Sequence, residues 1–146
     1  VANGGKYYLI CNYDKYDNLS HYRIDRISNI EILETLRKPK NQVEGLVGLD
    51  VAKYMQEHIF MFGGKSIRAK FEMPNYLISD VLDAFRANVD FKDLGDEMVL
   101  ASVKVNENDM RFWARQYASQ IKITEPKELV DMCKQDMINA LKLYDV

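Results

Sequence analysis

Two arginines three residues apart, Arg23 and Arg26, follow His21 and Tyr22, and a pair of tyrosines, Tyr7 and Tyr8, lies a short way upstream. A guanidinium is a planar fork of N–H donors that matches phosphate oxygens two at a time, and a tyrosine ring gives a flat face on which a base stacks. The chemistry open to this set is recognition of an anionic, base-bearing ligand. Arg23 and Arg26 would hold phosphate oxygens, Tyr8 would stack or hydrogen-bond, and His21 stands beside them. Side chains alternate along a strand, so the four cannot all point the same way if the segment is extended. The other reading is an ordinary sheet surface, in which Arg23 and Arg26 pair with Asp25, Asp14 or Asp17. The residues alone leave both open.

Catalytic chemistry finds little to work with. Gly63-Gly64-Lys65-Ser66 has the end of a phosphate-binding loop, but that loop needs a glycine where Ile59 stands and must open a helix, whereas a strand-like run follows here. His58 sits among apolar neighbours at helical spacing, which fits a structural histidine. No H-E-x-x-H, G-x-S-x-G or C-x-x-C pattern is present. Cys11 and Cys133 have no metal-ligand spacing and read as buried thiols. We therefore expect no enzyme, no metal and no cofactor.

The bulk properties narrow the partners. Twenty basic against 22 acidic residues leave a net charge of −2, which argues against nonspecific coating of nucleic acid or membrane but allows a local basic pocket. With 47% hydrophobic and 29% charged residues, the 146-residue chain can bury a core as one domain or two small ones. No apolar run approaches a membrane span and no signal-peptide pattern appears, so the expected setting is cytoplasmic and the sequon Asn18-Leu19-Ser20 carries little weight. The chain opens on Val1 and enters a strand-like run almost at once, which reads as a piece of a longer protein.

The elements that must position these residues fall into two blocks. Lys6, Tyr7, Tyr8, Leu9 and Ile10 form a β-rich run entered through the turn Asn3-Gly4-Gly5. A polar loop over 12–20, an alternating strand over 21–27 and extended structure over 30–36 complete a small antiparallel sheet. After a loop over 37–49, Asp50 caps a short helix with Val51, Tyr54, Met55, His58 and Ile59 on its apolar stripe, ended by Gly63-Gly64. The second block starts with clean alternation: Ile67, Ala69, Phe71 and Met73 inward, Arg68, Lys70 and Glu72 outward. A helix follows from Pro74 with Leu77 or Ile78, Val81 and Phe85 on its stripe, then a short strand over 89–91, a turn over 93–96, and a strand through Val99, Ala101, Val103 and Val105. Asn106 caps a helix with Met110, Trp113, Ala114 and Tyr117, Ile121 and Ile123 mark a last strand, and Pro126 opens a helix striped by Leu129, Cys133, Met137 and Leu141. The order βαββαβ plus a helix is the split-βαβ, ferredoxin-like pattern.

Tyr7-Tyr8-Leu9 resembles the Trp-Tyr-Leu signature of the WYL domain, with tyrosine in place of the first tryptophan. Tyr22-Arg23-Ile24-Asp25-Arg26-Ile27 is similar to that family's second block, and residues 50–64, with Tyr54, Phe60, Met61, Phe62 and the two glycines, look like its linker helix. The ferredoxin-like block, entered for its last helix through Glu125-Pro126-Lys127-Glu128-Leu129, resembles the carboxy-terminal extension called WCX. The resemblance runs nearly end to end. It implies an α+β protein: part of an Sm/SH3-like antiparallel β-barrel over 1–48, a linker helix over 49–64, and a ferredoxin-like WCX domain over 65–146.

The resemblance also implies a function, the ligand-sensing and dimerising region of a bacterial transcriptional regulator. Its effector would be a nucleotide-like molecule or a single-stranded nucleic acid, held by Tyr8, His21, Arg23 and Arg26. Duplex DNA would be met only through an amino-terminal helix-turn-helix that this sequence lacks, along with the barrel strands before Tyr7. The main alternative is a structural dimerisation or protein-interaction module with no small ligand. A small ferredoxin-like enzyme rests on fold analogy alone. With no recognition helix carrying a basic flank, this chain should give no sequence-specific duplex complex in a gel shift at physiological salt.

Overall fold

The computed structural model describes residues 1–16, 19–86 and 88–144. Asp17 and Asn18, one a candidate partner of the arginines and the other the sequon asparagine, lie outside the described residues. The chain is α+β, with two antiparallel sheets and four α-helices among the described residues. No helix of the described residues is long and apolar enough to cross a membrane.

The first sheet has three strands, β1 (Ala2–Asn3), β2 (Lys6–Cys11) and β3 (Ser20–Arg23), in the order β1-β2-β3. Gly4 and Gly5 turn the chain between β1 and β2 at φ of +53° and +73°, a backbone region that favours glycine. The sheet is open and closes no barrel. Two expectations for this block are corrected. The alternation over 21–27 predicts a strand, but β3 stops at Arg23 and Ile24–Arg26 form a 3-10 turn. Residues 30–36 take neither strand nor helix, and Ile32 and Leu36 are 100% and 92% exposed. Extended structure needs a neighbouring strand for its backbone groups, and among the described residues none lies beside this segment.

The connector holds helix α1 (Val51–Glu57), capped by the Asp50 carboxylate, which accepts from the Lys53 amide at 3.1 Å. It ends at His58, well before Gly63-Gly64, so the linker helix is shorter than the sequence suggests. Residues 58–65 continue as irregular chain.

The second block contains β4 (Ser66–Pro74), α2 (Ile78–Phe85), β5 (Val89–Gly95), β6 (Met98–Asn106), α3 (Glu107–Gln116), β7 (Lys122–Glu125) and α4 (Lys127–Leu141). Its sheet runs β5-β6-β4-β7, every neighbouring pair antiparallel. The inward residues of β4 and β6 face each other in register, Ala69 with Val103, Phe71 with Ala101 and Met73 with Val99. Together with Val81 and Phe85 of α2, Met110 and Trp113 of α3 and Leu129 of α4 they form one buried core. The opposite face carries ion pairs, Lys70 with Glu125 at 3.0 Å and Lys122 with Glu72 at 3.4 Å.

Several boundaries move for local reasons. Pro74 ends β4, and a 3-10 turn (Asn75–Leu77) precedes α2. The short strand expected over 89–91 runs on to Gly95, because Asp96 and Glu97, both at positive φ, make the tight turn. Along α4 the apolar stripe is core only at first: Leu129 and Cys133 are buried, whereas Met137 and Leu141 are 45% and 61% exposed. Cys11 is half-buried.

Phe71, Phe85 and Trp113 form an aromatic triangle under the sheet, with ring centroids 4.9 to 6.5 Å apart. Removing either ring leaves a cavity that the rigid sheet cannot collapse. Phe85→Ala and Trp113→Ala should each cost about 3–5 kcal/mol in urea denaturation, and native tryptophan emission should lie well to the blue of free indole.

Candidate functional site

The β2–β3 ladder sets which candidate residues meet. Tyr8 pairs directly with Arg23 and Ile10 with His21, so these four side chains share one face. Tyr7, Leu9 and Tyr22 take the other face, and Tyr7 is 68% exposed. Arg26 joins the set because β3 ends early. On a strand, residues three apart point to opposite faces, but around one 3-10 turn they return to the same side. An open groove of about 410 Å³ results, lined by Tyr8, His21, Arg23 and Arg26 from the first sheet and by residues 60–62 of the connector. All four residues singled out in the sequence therefore line one groove.

Arg23 is engaged within it. Its Nε donates to Asp25 Oδ1 at 3.0 Å and its Nη2 to Oδ2 at 2.5 Å, a two-pronged pair at the surface. The fork lowers the Asp25 carboxyl and raises the Arg23 guanidinium from their ordinary values, with the Arg26 charge adding to the effect on Asp25. Of the aspartates weighed for Arg23 that are described, Asp25 is its partner. Asp14 is held instead by Lys38 at 2.6 Å. Arg26 is exposed and makes no ion pair among the described residues.

Behind the groove lies a buried polar network that the sequence does not announce. His21 Nε2 and the Tyr54 hydroxyl are 2.7 Å apart, the Tyr54 and His58 rings stack at 3.9 Å, and His58 Nδ1 bonds the Tyr54 carbonyl at 2.9 Å. His58, 3% exposed, is thus a structural histidine held by its own helix. Asp109 of α3 is fully buried, and its two oxygens accept from the amides of Phe60 at 2.9 Å and Phe62 at 3.0 Å. Met61, between them, sits at φ +62°, a strained conformation for a side-chain-bearing residue. Asp109 follows the Asn106 cap by three residues, so in sequence it reads as an ordinary first-turn acid favoured by the helix dipole. Only its burial shows that it reaches across to the connector.

Burial sets the titration of this network. It pushes the Asp109 carboxyl up to about 6 against the pull of the amides. Desolvation, then the nearby His58 charge, drops His21 to about 4, opposed by the Met61 carbonyl. Desolvation lowers His58 as well and raises the Tyr54 hydroxyl to about 12. Burial works to raise Glu57, but hydrogen bonds from Lys104, 2.8 Å away, and Ser66 outweigh it and hold the carboxyl low. The buried His21 Nδ1 makes no hydrogen bond among the described residues. Nor does any group of three or more His, Cys, Asp or Glu among them come together as a metal site.

No protein-family model matches this chain, and no curated protein shows significant similarity to it.

The two shifts act in opposite directions with pH. His21 is neutral in the fold with a value near 4 against an ordinary 6.5, so its contribution is complete above pH 6.5 and is lost as pH falls toward 4. Asp109 has a raised value, so its contribution is present below about 3.8 and is lost as pH rises through 6. Substituting each group separates them. Relative to the parent, His21→Gln should lose less stability on acidification from pH 7 to 4, by roughly 1–2 kcal/mol for a half-buried group, read from urea midpoints at each pH. An unchanged acid limb would place His21 in solvent.

Proposed function

We propose that this chain is the effector-sensing and dimerising region of a bacterial transcriptional regulator of the WYL type, with a nucleotide-like or single-stranded nucleic-acid effector in the groove between the first sheet and the connector. The observation that carries the reading is the lining of that groove. Two guanidinium groups, Tyr8 and His21 converge there beside Phe62, which is 40% exposed. Cationic forks next to accessible aromatic faces suit a ligand that carries both phosphate and base. An open groove with this lining suits a bound effector.

In this reading residues 1–48 are the last part of a WYL Sm-like barrel and 65–146 a ferredoxin-like WCX domain. The strand order β5-β6-β4-β7 supports the latter. Each crossover helix joins two parallel strands with one antiparallel strand between them, as a split βαβ chain requires. Duplex DNA would then be contacted by a helix-turn-helix outside this sequence, in the cytoplasm. A second reading, a dimerisation module without a small ligand, is favoured by the end of α4, where Met137, Ile138 and Leu141 are 45–61% exposed. Mass spectrometry of the purified protein for a retained nucleotide separates the two.

The arginines give the direct test, by fluorescence polarisation with a labelled oligonucleotide and with nucleotides. Arg23→Ala and Arg26→Ala should each weaken binding roughly ten- to a hundredfold with melting temperature nearly unchanged, and lysine should rescue only in part because it lacks the fork. Asp25→Asn should act the other way and tighten binding a few-fold, because Asp25 occupies the fork that the ligand needs. Affinity for a single strand should fall steeply with salt. Wild-type binding by both alanine variants would remove this groove as the anion site.

A further inference from the structure

A second cavity lies in the other block, where α3, β7 and α4 meet. It measures about 150 Å³ and opens to solvent on one side. Side-chain size explains why the space is there. Ala114 of α3 and Ala118 of the turn that follows present a single methyl each, too little to reach the facing helix. That helix supplies Val130, Cys133 and Met137, which recur at helical spacing on one face of α4. Ile121 and Ile123, two apart and so on one side of the chain, complete an apolar interior. Burial, with the Asp136 charge nearby, holds the Cys133 thiol above its ordinary value, so it lines the cavity as a neutral S–H.

The mouth has a different character. Arg115, Lys122 and Lys134 stand there, and no carboxylate is part of the lining. Two of the three cations are already engaged, Arg115 by Asp136 at 3.2 Å and Lys122 by Glu72 at 3.4 Å. Lys134, exposed on α4, has no ion-pair partner among the described residues. One uncompensated positive charge at the lip of an apolar hole calls for a body without charge and a single negative head. The size sets the body, since an apolar cavity of about 150 Å³ takes one six-membered ring.

We propose that this cavity binds a small aromatic monocarboxylate, its ring among Ile123, Val130 and Cys133 and its carboxylate at the mouth on Lys134. Every residue that lines the cavity lies between 114 and 137. Neither the effector groove nor any strand before Val1 contributes to it, so the site stands or falls independently of the proposed function. Met137 is its outer lip, whereas Ile138 and Leu141 of the exposed end of α4 take no part in the lining.

Titration of the isotope-labelled 146-residue chain with benzoate, followed by amide NMR, tests the site. Benzyl alcohol carries the ring without the charge, and acetate the charge without the ring. Benzoate should give saturable shifts centred on Ala114, Ala118, Ile123 and Cys133, bind a few-fold more tightly than benzyl alcohol, and leave acetate without effect. Lys134→Gln should abolish the advantage of benzoate over benzyl alcohol at an unchanged melting temperature. Val130→Phe should fill the space and weaken both ring-bearing ligands by at least about tenfold. If that variant is unstable, the surface change at Lys134 carries the test alone. No saturable shift up to about 10 mM benzoate would overturn the proposal. So would equal binding of benzoate and benzyl alcohol, or shifts centred on Ile138 and Leu141 or on Tyr8 and Arg23.

Discussion

The carboxylate of Asp109 is the contact on which the candidate site depends. It belongs to the second block, yet both of its oxygens are spent on amides of the connector. Those two hydrogen bonds hold residues 60–62 against α3, where Phe60 and Phe62 pack edge-on to Phe112 at 4.9 and 5.5 Å. The same three residues are the far wall of the groove whose near wall is β2 and β3. Without the bridge, residues 60–62 would lose the two hydrogen bonds that fix the far wall of the cleft.

This arrangement has a cost. A fully buried carboxylate is expensive to desolvate, and two neutral amides compensate less well than a cation would, which is why its proton affinity rises. The same junction also holds two histidines and a tyrosine, all with their charged forms disfavoured by burial. An apolar connector of similar volume would be cheaper to bury. A polar network specifies one geometry, since each donor has a preferred acceptor, and a cleft that must present Tyr8 and Arg23 in a fixed relation needs that definition. The connecting chain meets the demand with Met61 at positive φ, strain that the flanking amide bonds over-determine.

The first sheet is the opposite case. It is stabilised by few buried side chains; Leu19, 7% exposed, and Val43, 5% exposed, are its main apolar anchors. It joins the rest mainly through polar contacts, such as Asn3 Nδ2 to the Ile59 carbonyl at 2.9 Å and His21 to Tyr54. Its outer surfaces remain apolar and accessible at Tyr7, Leu9 and Tyr22. A firm second block thus carries a lightly anchored sheet, and the least firmly held elements are those that present the binding groups.

Alternation over 66–73 and 99–105 determined by itself which side chains of β4 and β6 are buried, and the aspartate cap of α1 and the asparagine cap of α3 were equally legible, because a strand's period and a cap's hydrogen bond are local properties. The pairing of Tyr8 with Arg23 and of Ile10 with His21 is short-range as well, but Arg26 reaches the same side only because β3 stops at Arg23, which the alternation did not foretell. The same logic misled over 21–27 and 30–36. Apolar alternation promises a strand only where another strand can take up its hydrogen bonds, and whether one is present is not written in the segment itself. The fork of Asp25 on Arg23 was one of several local options, and among the described residues geometry decided between Asp25 and Asp14. Asp109 and the histidine–tyrosine network were not legible at all. Their partners lie 33 to 49 residues away in the chain, and a buried acid has the same letter as a solvated one, so only the packing of α3 against the connector decided what they do.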